Sequence, residues 1–341
     1  MHRLTRRELE AYDRGANILA RGSGSATPFA DAARDDTSLP CLIGVDEISG
    51  PVATVVKFGA TGTVHDWGEL CLEALDRLLA DQGLGREALA AIAPVEINRS
   101  QVDRALYVCH RLGKPLLDAD HVGGTAIPTL SLCRSVEAGA PLKVAYTVVD
   151  AGGAVPRATE RGLLDYGQGL PRARELDLRL RALTGSGGVA AALFLTADMR
   201  LLHPGSISRT IALGAAITAA DPVEALLRFC GGERLGSGRL ERVEAHGGVG
   251  FTARTLHIGA LTVGVLNEFL VVEREGRALA QVPELIAVVD GQGRGVLTAQ
   301  VQRYLGQELH VLRLPLFEAC SVALAAEWNP ILATYLRLRV A

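Results

Sequence analysis

Apolar residues at positions 4, 9, 12, 16, 18 and 19 fall near helical spacing after Thr5, a suitable cap, and predict a first helix over 4–20. It runs into a Gly/Ser loop, Arg21-Gly-Ser-Gly-Ser-Ala-Thr-Pro-Phe29. Two short apolar runs, 42–45 and 52–58, read as strands. Leu70, Leu72, Leu75, Leu78 and Leu79 form one stripe of a helix over 67–82. The alternation continues with a strand over 90–97, a helix over 100–112 and a strand over 115–117, so polar groups gather just beyond strand ends. A further strand is expected over 142–150, followed by an Arg/Glu-rich helix that ends near Leu183. Beyond 187, helices over 208–219 and 222–230 precede a Gly-rich turn at 231–238. Short strand-like runs follow at 241–245, 251–258, 261–265, 268–273, 278–282 and 287–290. The pattern predicts an α/β fold in two domains, an N-terminal α/β domain over 1–170 and a mainly β, antiparallel C-terminal domain over 171–341.

Composition narrows the function classes. The 341 residues carry 35 Lys and Arg against 38 Asp and Glu, a net charge of −3, which gives no bulk attraction for nucleic acid or an anionic membrane. Lys occurs only at 57, 114 and 143, a usage that suggests a GC-rich bacterial genome. The first ten residues are charged where a secretion signal needs an apolar core, and no apolar run reaches the roughly 18 residues of a membrane span. A cytoplasmic protein is therefore expected. Cysteines 41, 71, 109, 133, 230 and 320 form no C-x-x-C pair and read as reduced thiols. The Gly/Ser loop follows a helix, whereas a dinucleotide-binding turn follows a strand, so no nucleotide cofactor is expected.

The strongest chemical constellation lies after two successive strands. Asp118 and Asp120 flank one small residue and on an extended segment point the same way, as a shared proton site or a metal pair requires. His121 follows directly as a base or ligand, and these three form the candidate catalytic set. Glu96 and Asn98 can orient a ring amide by accepting and donating, or Asn98 can cap the helix that follows. Gly123 and Gly124 can offer backbone N–H groups to an anionic substrate group, or simply make a turn. Asn267 and Glu268 form a polar pair inside an apolar run, available for substrate contact or for structural hydrogen bonding. Zinc or another divalent transition metal is a further option, with Asp120, His121, His203 and His246 as candidate ligands, although their spacing matches no local metal motif. His110, His257 and Cys320 are weaker candidates.

Several segments, in common order, resemble the S-methyl-thiohydantoin desulfurase family, often encoded beside hydantoinase and oxoprolinase genes. They are the opening helix with its Gly-rich loop, Glu96-Ile-Asn98, Leu117-Asp-Ala-Asp-His-Val-Gly-Gly-Thr-Ala-Ile-Pro128, Gly205-Ser-Ile-Ser208, Gly250-Phe251, Leu266-Asn-Glu-Phe269 and Val282-Pro-Glu-Leu-Ile286 leading to Asp290. The resemblance implies an α/β part joined to a mainly β part, and hydrolytic displacement of a methylthio group from a hydantoin-like ring. The sequence departs from the family pattern in places. The first loop ends in Thr27-Pro28 where the family carries Asp-Pro, Thr129 stands where a carboxylate is usual, and Asn329-Pro330 replaces Gly-Pro. The expectation is an enzyme acting on a hydantoin-like or other small cyclic amide or imide, by displacement, ring opening or a related tailoring step. The competing expectation is a non-catalytic ligand-binding or complex-forming relative. The expected partner is a small heterocyclic substrate, with a homo-oligomer possible and neither nucleic acid nor membrane involved.

Overall fold

A computed structural model describes residues 1–24, 39–59, 67–124, 130, 133–150, 157–184, 188–193, 198–247, 253–315 and 322–340. The strands are β1 (His2–Arg3), β2 (Cys41–Ile43), β3 (Val52–Gly59), β4 (Ala91–Pro94), β5 (Leu116–Leu117), β6 (Ala119–Asp120), β7 (Pro141–Asp150), β8 (Arg157–Gln168) and β9 (Gly188–Leu193). They continue as β10 (His203–Pro204), β11 (Glu233–Ala245), β12 (Ala253–Ile258), β13 (Leu261–Leu266), β14 (Glu268–Arg274), β15 (Arg277–Gln281), β16 (Leu285–Asp290) and β17 (Glu308–Leu314). The helices are α1 (Arg6–Leu19), α2 (Trp67–Asp81), α3 (Arg99–Leu112), α4 (Arg134–Glu137), α5 (Leu170–Thr184), α6 (Ser206–Ala216), α7 (Pro222–Cys230), α8 (Val322–Ala326) and α9 (Asn329–Val340). The expected class holds, an α/β part and a mainly antiparallel β part.

The chain forms two compact units. The first comprises Met1–Arg6, Thr27–Val122 and Pro128–Ile207, and the second Arg7–Ala26, Gly123–Ile127 and Ser208–Ala341. This division differs from the expected cut at 170. Helix α5 and strand β9 stay with the first unit because β9 pairs with both β3 and β7 in the middle of its sheet. Helix α1 departs in the other direction, because it packs backbone to backbone on α6.

The first unit is built on an eight-stranded mixed sheet of order β1-β2-β5-β4-β3-β9-β7-β8. Strands β2, β5, β4 and β3 are mutually parallel, whereas β9, β7 and β8 are antiparallel additions. Side chains alternate along β3. Val56 and Phe58 face Ala191 and Val189 across β9, and Val144 and Tyr146 of β7 extend the same surface. Ala173, Leu176 and Leu180 of α5 cover it. Lys57 turns to the opposite face, under Trp67 of α2. Helices α2 and α3 cross closely at Gly68, where a Cβ would overlap the Tyr107 ring. Strand β8 escaped the sequence reading because it is a half-exposed edge carrying charges and two glycines. One of these, Gly162, is required because the Tyr146 ring lies where a side chain would project.

The second unit holds a seven-stranded antiparallel sheet of order β15-β14-β13-β12-β11-β17-β16. Its core gathers Leu256, Ile258, Val263, Phe269, Ile286, Val288 and Val311. The stretch expected as a turn at 231–238 is instead largely the first half of β11. Its glycines serve close approach, since a Cβ on Gly238 would lie 2.8 Å from the Gly259 Cα. Tyr335 of α9 is wholly buried, with its ring packed where a Cβ of Gly264 would stand.

Helices α1 and α6 meet through glycines. A Cβ on Gly214 would overlap the Ala11 carbonyl oxygen, and one on Gly15 the Thr210 carbonyl oxygen. Alanine at 214 gains helix propensity of about 1 kcal/mol, yet a main-chain carbonyl cannot rotate aside, and overpacking costs about 1–3 kcal/mol. Gly214→Ala is therefore expected to lower the Tm in thermal denaturation. An unchanged or raised Tm would show that the helices do not cross at this point.

Candidate active site

The buried polar side chains Glu96, Asn98, Asp120 and His121 lie beyond the carboxyl ends of the parallel strands β4 and β5. Beyond β4 the chain runs through Glu96 to Asn98, the N-cap of α3, whose Oδ1 accepts from the Ser100 backbone N–H and hydroxyl, each at 2.8 Å. The capping alternative for Asn98 is thus realised at that oxygen. Glu96 is buried.

Beyond β5, Asp118 donates its backbone N–H to the Ile43 carbonyl and accepts from Gly205 N–H, at 2.8 and 2.7 Å. Its side chain is half-buried, whereas that of Asp120 is 0% exposed, so the two acids occupy different environments. Strand β6 pairs antiparallel with β10, which sets His203 opposite Asp120. The Asp120 Oδ2 accepts from Val122 N–H at 3.1 Å, which fixes the carboxylate's orientation. Gly123 follows with φ 73°, a conformation that favours glycine, and a side chain on Gly124 would meet nothing within 4 Å.

His121 is held at both ends of its ring. Nε2 lies 2.7 Å from Thr54 Oγ1 on β3, and Nδ1 lies 3.4 Å from Ser135 Oγ on α4. A neutral imidazole has one donor and one acceptor, so one hydroxyl donates to it and the other accepts. Its backbone bridges the Val95 carbonyl and the Arg134 N–H. Burial, and after it the charge of His203, pulls the His121 pKa down to about 3, so the ring is neutral at physiological pH. A proton-carrying imidazolium is thereby disfavoured, and the ring serves as a fixed neutral hydrogen-bonding group.

Next to these groups stands Cys133. Burial, then the charges of Asp177, Asp120 and Glu96, push its thiol well above the usual range, so it stays protonated. Three buried carboxylates thus act on one position. Asp177 of α5 accepts from the Leu130 N–H at 3.2 Å. The sequence reading missed Thr54, Cys133, Ser135 and Asp177. Only Asp177 left a signal, as an acid in the buried phase of a helix whose other members are Ala173, Leu176 and Leu180.

The remaining candidates lie in the second unit. Asn267, at φ 64°, gives its amide to Ser23 Oγ at 3.1 Å and to Glu268 Oε1 at 2.8 Å, while its carbonyl accepts from Thr298 Oγ1 at 2.6 Å. Arg21, at φ 51°, is bonded to the carbonyls of Pro283 and Glu284 and stacks over Trp328 at 4.9 Å. The Gly-rich loop, the Asn267 segment and the Val282 segment therefore form one clasp. His246 is bonded to Thr255, which is bonded to Tyr335. His257 contacts Glu244 and Arg242 at the surface, and His110 lies exposed in the last turn of α3.

Among the described residues no group of three or more His, Cys, Asp or Glu is arranged to hold a metal ion. The optional metal ligands Asp120, His121, His203 and His246 do not form such a group there, and His246 belongs to a different unit from the other three. The cysteines at 41, 71, 109, 133 and 230 are free thiols, as expected. Cys320, Thr129, Gly250-Phe251 and the Thr27-Pro28 loop end lie outside the described residues. No described helix is long and apolar enough to cross a membrane.

Comparison with known proteins adds two findings. Residues 179–323 match the family described as "S-Me-THD-like, C-terminal domain". A crystal structure of a protein from Chromobacterium violaceum, a structural-genomics target, shares the fold at a TM-score of 0.70, covering 98% of this chain and 97% of that one at 20% identity. At this identity the likeness speaks of fold alone. None of the curated proteins compared with the chain matches it.

His121 yields a prediction on pH. The unfolded ring takes a proton near its ordinary pKa, about 6.5, and the folded ring only near 3, so the unfolded state binds more protons between these values. Stability from this group is complete above about pH 6.5 and falls as pH drops toward 3, by up to about 1.4 kcal/mol per pH unit. Denaturant melts of wild type and His121→Gln across this window should show a shallower pH slope in the variant. Parallel slopes would place the histidine in water.

Proposed function

Because the chain belongs to the S-methyl-thiohydantoin desulfurase-like family, we propose that it is an enzyme acting on a small hydantoin-like ring, by hydrolytic displacement at the carbon between the two ring nitrogens. The observation that carries this reading is the wholly buried Asp120, oriented by Val122 N–H at the carboxyl end of the parallel strands, with buried Glu96 from the preceding crossover acting on the same thiol, Cys133. In the proposed reaction the oxygen of water bonds to the ring carbon, the carbon–sulfur bond breaks, and the sulfur leaves as a thiol.

Asp120 removes the proton of the attacking water, and that proton is passed to the departing sulfur. Glu96 accepts a ring N–H and so orients the heterocycle. His121, neutral and pinned by two hydroxyls, offers a fixed hydrogen bond. Asp118 acts through its backbone, which ties β2 and Gly205 to this strand end. Thr27-Pro28 in place of Asp-Pro supports a ring substituent different from that of the family's type substrate.

Purified protein incubated with an S-methylated 2-thiohydantoin should release methanethiol, read with a thiol reagent. Asp120→Asn and Glu96→Gln should each lower kcat/KM by roughly 10²–10⁴-fold while the Tm stays near wild type. Saturable binding of the ring without thiol release would support the non-catalytic alternative and overturn the enzymatic reading.

A further inference from the structure

A different group of side chains lies on the opposite face of the same sheet. Lys57 is the third residue from the end of β3, past the point at which β3 pairs with β4, whose register ends at Val55 opposite Pro94. The Gln101 side chain of α3 takes over there, accepting from Lys57 N–H at 3.0 Å and donating to the Lys57 carbonyl at 2.8 Å. The lysine backbone is thereby fixed. Its Nζ lies 4.7 Å from the centroid of the Trp67 ring. That ring is itself locked, since a Cβ on Gly188 would lie 2.7 Å from its Cη2.

Two buried donors near Lys57 lack acceptors. Trp67 is 3% exposed and its Nε1–H has no acceptor among the described residues; the buried Nε–H of Arg104 has none either. Arg104 pairs with Asp103 through Nη1, but among the described residues no carboxylate acts on Lys57. Burial, then the charge of Arg104, pulls the Lys57 pKa down to about 8. A buried donor left without an acceptor is destabilising. Two such donors beside an unpaired ammonium form an arrangement that an anion would satisfy. Lys57 is itself only half-buried, so the cluster is open on its side.

We propose that Lys57, Arg104 and Trp67 form a binding site for a small oxyanion, a carboxylate or phosphate group of a ligand, at the carboxyl end of β3. The position agrees with the rule that open α/β sheets bind ligands beyond the carboxyl ends of their strands. The site stands independently of the ring chemistry proposed above, and neither requires the other.

The test uses inorganic phosphate and acetate as probes on the whole protein. Brief amine acetylation with peptide mass spectrometry reads Lys57 against Lys114 and Lys143 in the same molecule. Near saturation a probe should slow labelling of Lys57 by about tenfold, as occupancy dictates, and leave the other two unchanged. The more protective probe tells whether the site prefers phosphate or carboxylate. A Lys57 labelling rate that neither probe changes, or equal protection of all three lysines, overturns the proposal. The better probe should also raise the Tm of the wild type and leave that of Lys57→Met unmoved; an equal rise in both overturns it as well.

Discussion

The chemistry of the first unit depends on the parallel pairing of β3, β4 and β5. Strands β4 and β5 are only four and two residues long, so the chain leaves the sheet there while still buried, whereas β3 runs for eight residues to an exposed Gly59. Backbone groups buried at such an exit must find partners at once. They do so locally, through His121 N–H on the Val95 carbonyl, Asp118 N–H on the Ile43 carbonyl and Gln101 on Lys57. Each of these bonds also fixes a residue of one of the two proposed sites. The alternation of β3 then sorts those side chains, with Thr54 and His121 on the face covered by α5, and Lys57 with Trp67 on the face covered by α2 and α3.

The second unit solves another problem. Arg21 and Asn267 both hold positive φ, which costs a non-glycine residue about 1 kcal/mol or more. The cost is offset by a closed set of bonds, from Phe269 N–H to the Arg21 carbonyl, from Thr298 to the Gly22 and Asn267 carbonyls, and from the Arg21 guanidinium to two carbonyls beside Trp328. Asn267 and Glu268, read from sequence as available for substrate contact or for structural hydrogen bonding, are engaged in this clasp. The Gly-rich loop needs its glycine for the same reason, since a Cβ on Gly22 would lie 2.5 Å from the Phe269 ring.

Periodicity made most of the fold legible. The stripes of α1, α2 and α3 and the short strands from β12 to β16 fall where the apolar spacing puts them. Two of the elements it missed have a clear physical cause. Strand β8 is a charged edge whose apolar face is reduced to Leu164 and Tyr166, and the first half of β11 is rich in glycine because strands pass close together, not because the chain turns. Within the site, Asp120, Glu96 and His121 were legible because they follow strands. Thr54 and Ser135 were not, for their importance comes from contacts 67 and 14 residues away in sequence with one imidazole. Asn98 was legible as either a cap or a ligand, and only the bond from Ser100 separates the two.

The central claim is that buried carboxylates at this strand end drive water onto a ring carbon. It is tested most directly by running the reaction on an S-methylated 2-thiohydantoin in water enriched in oxygen-18 and weighing the products. The account predicts one heavy oxygen in the ring carbonyl formed where sulfur departed, and none in the released thiol. Thiol release with an unlabelled ring would mean that water does not attack that carbon, and would contradict it.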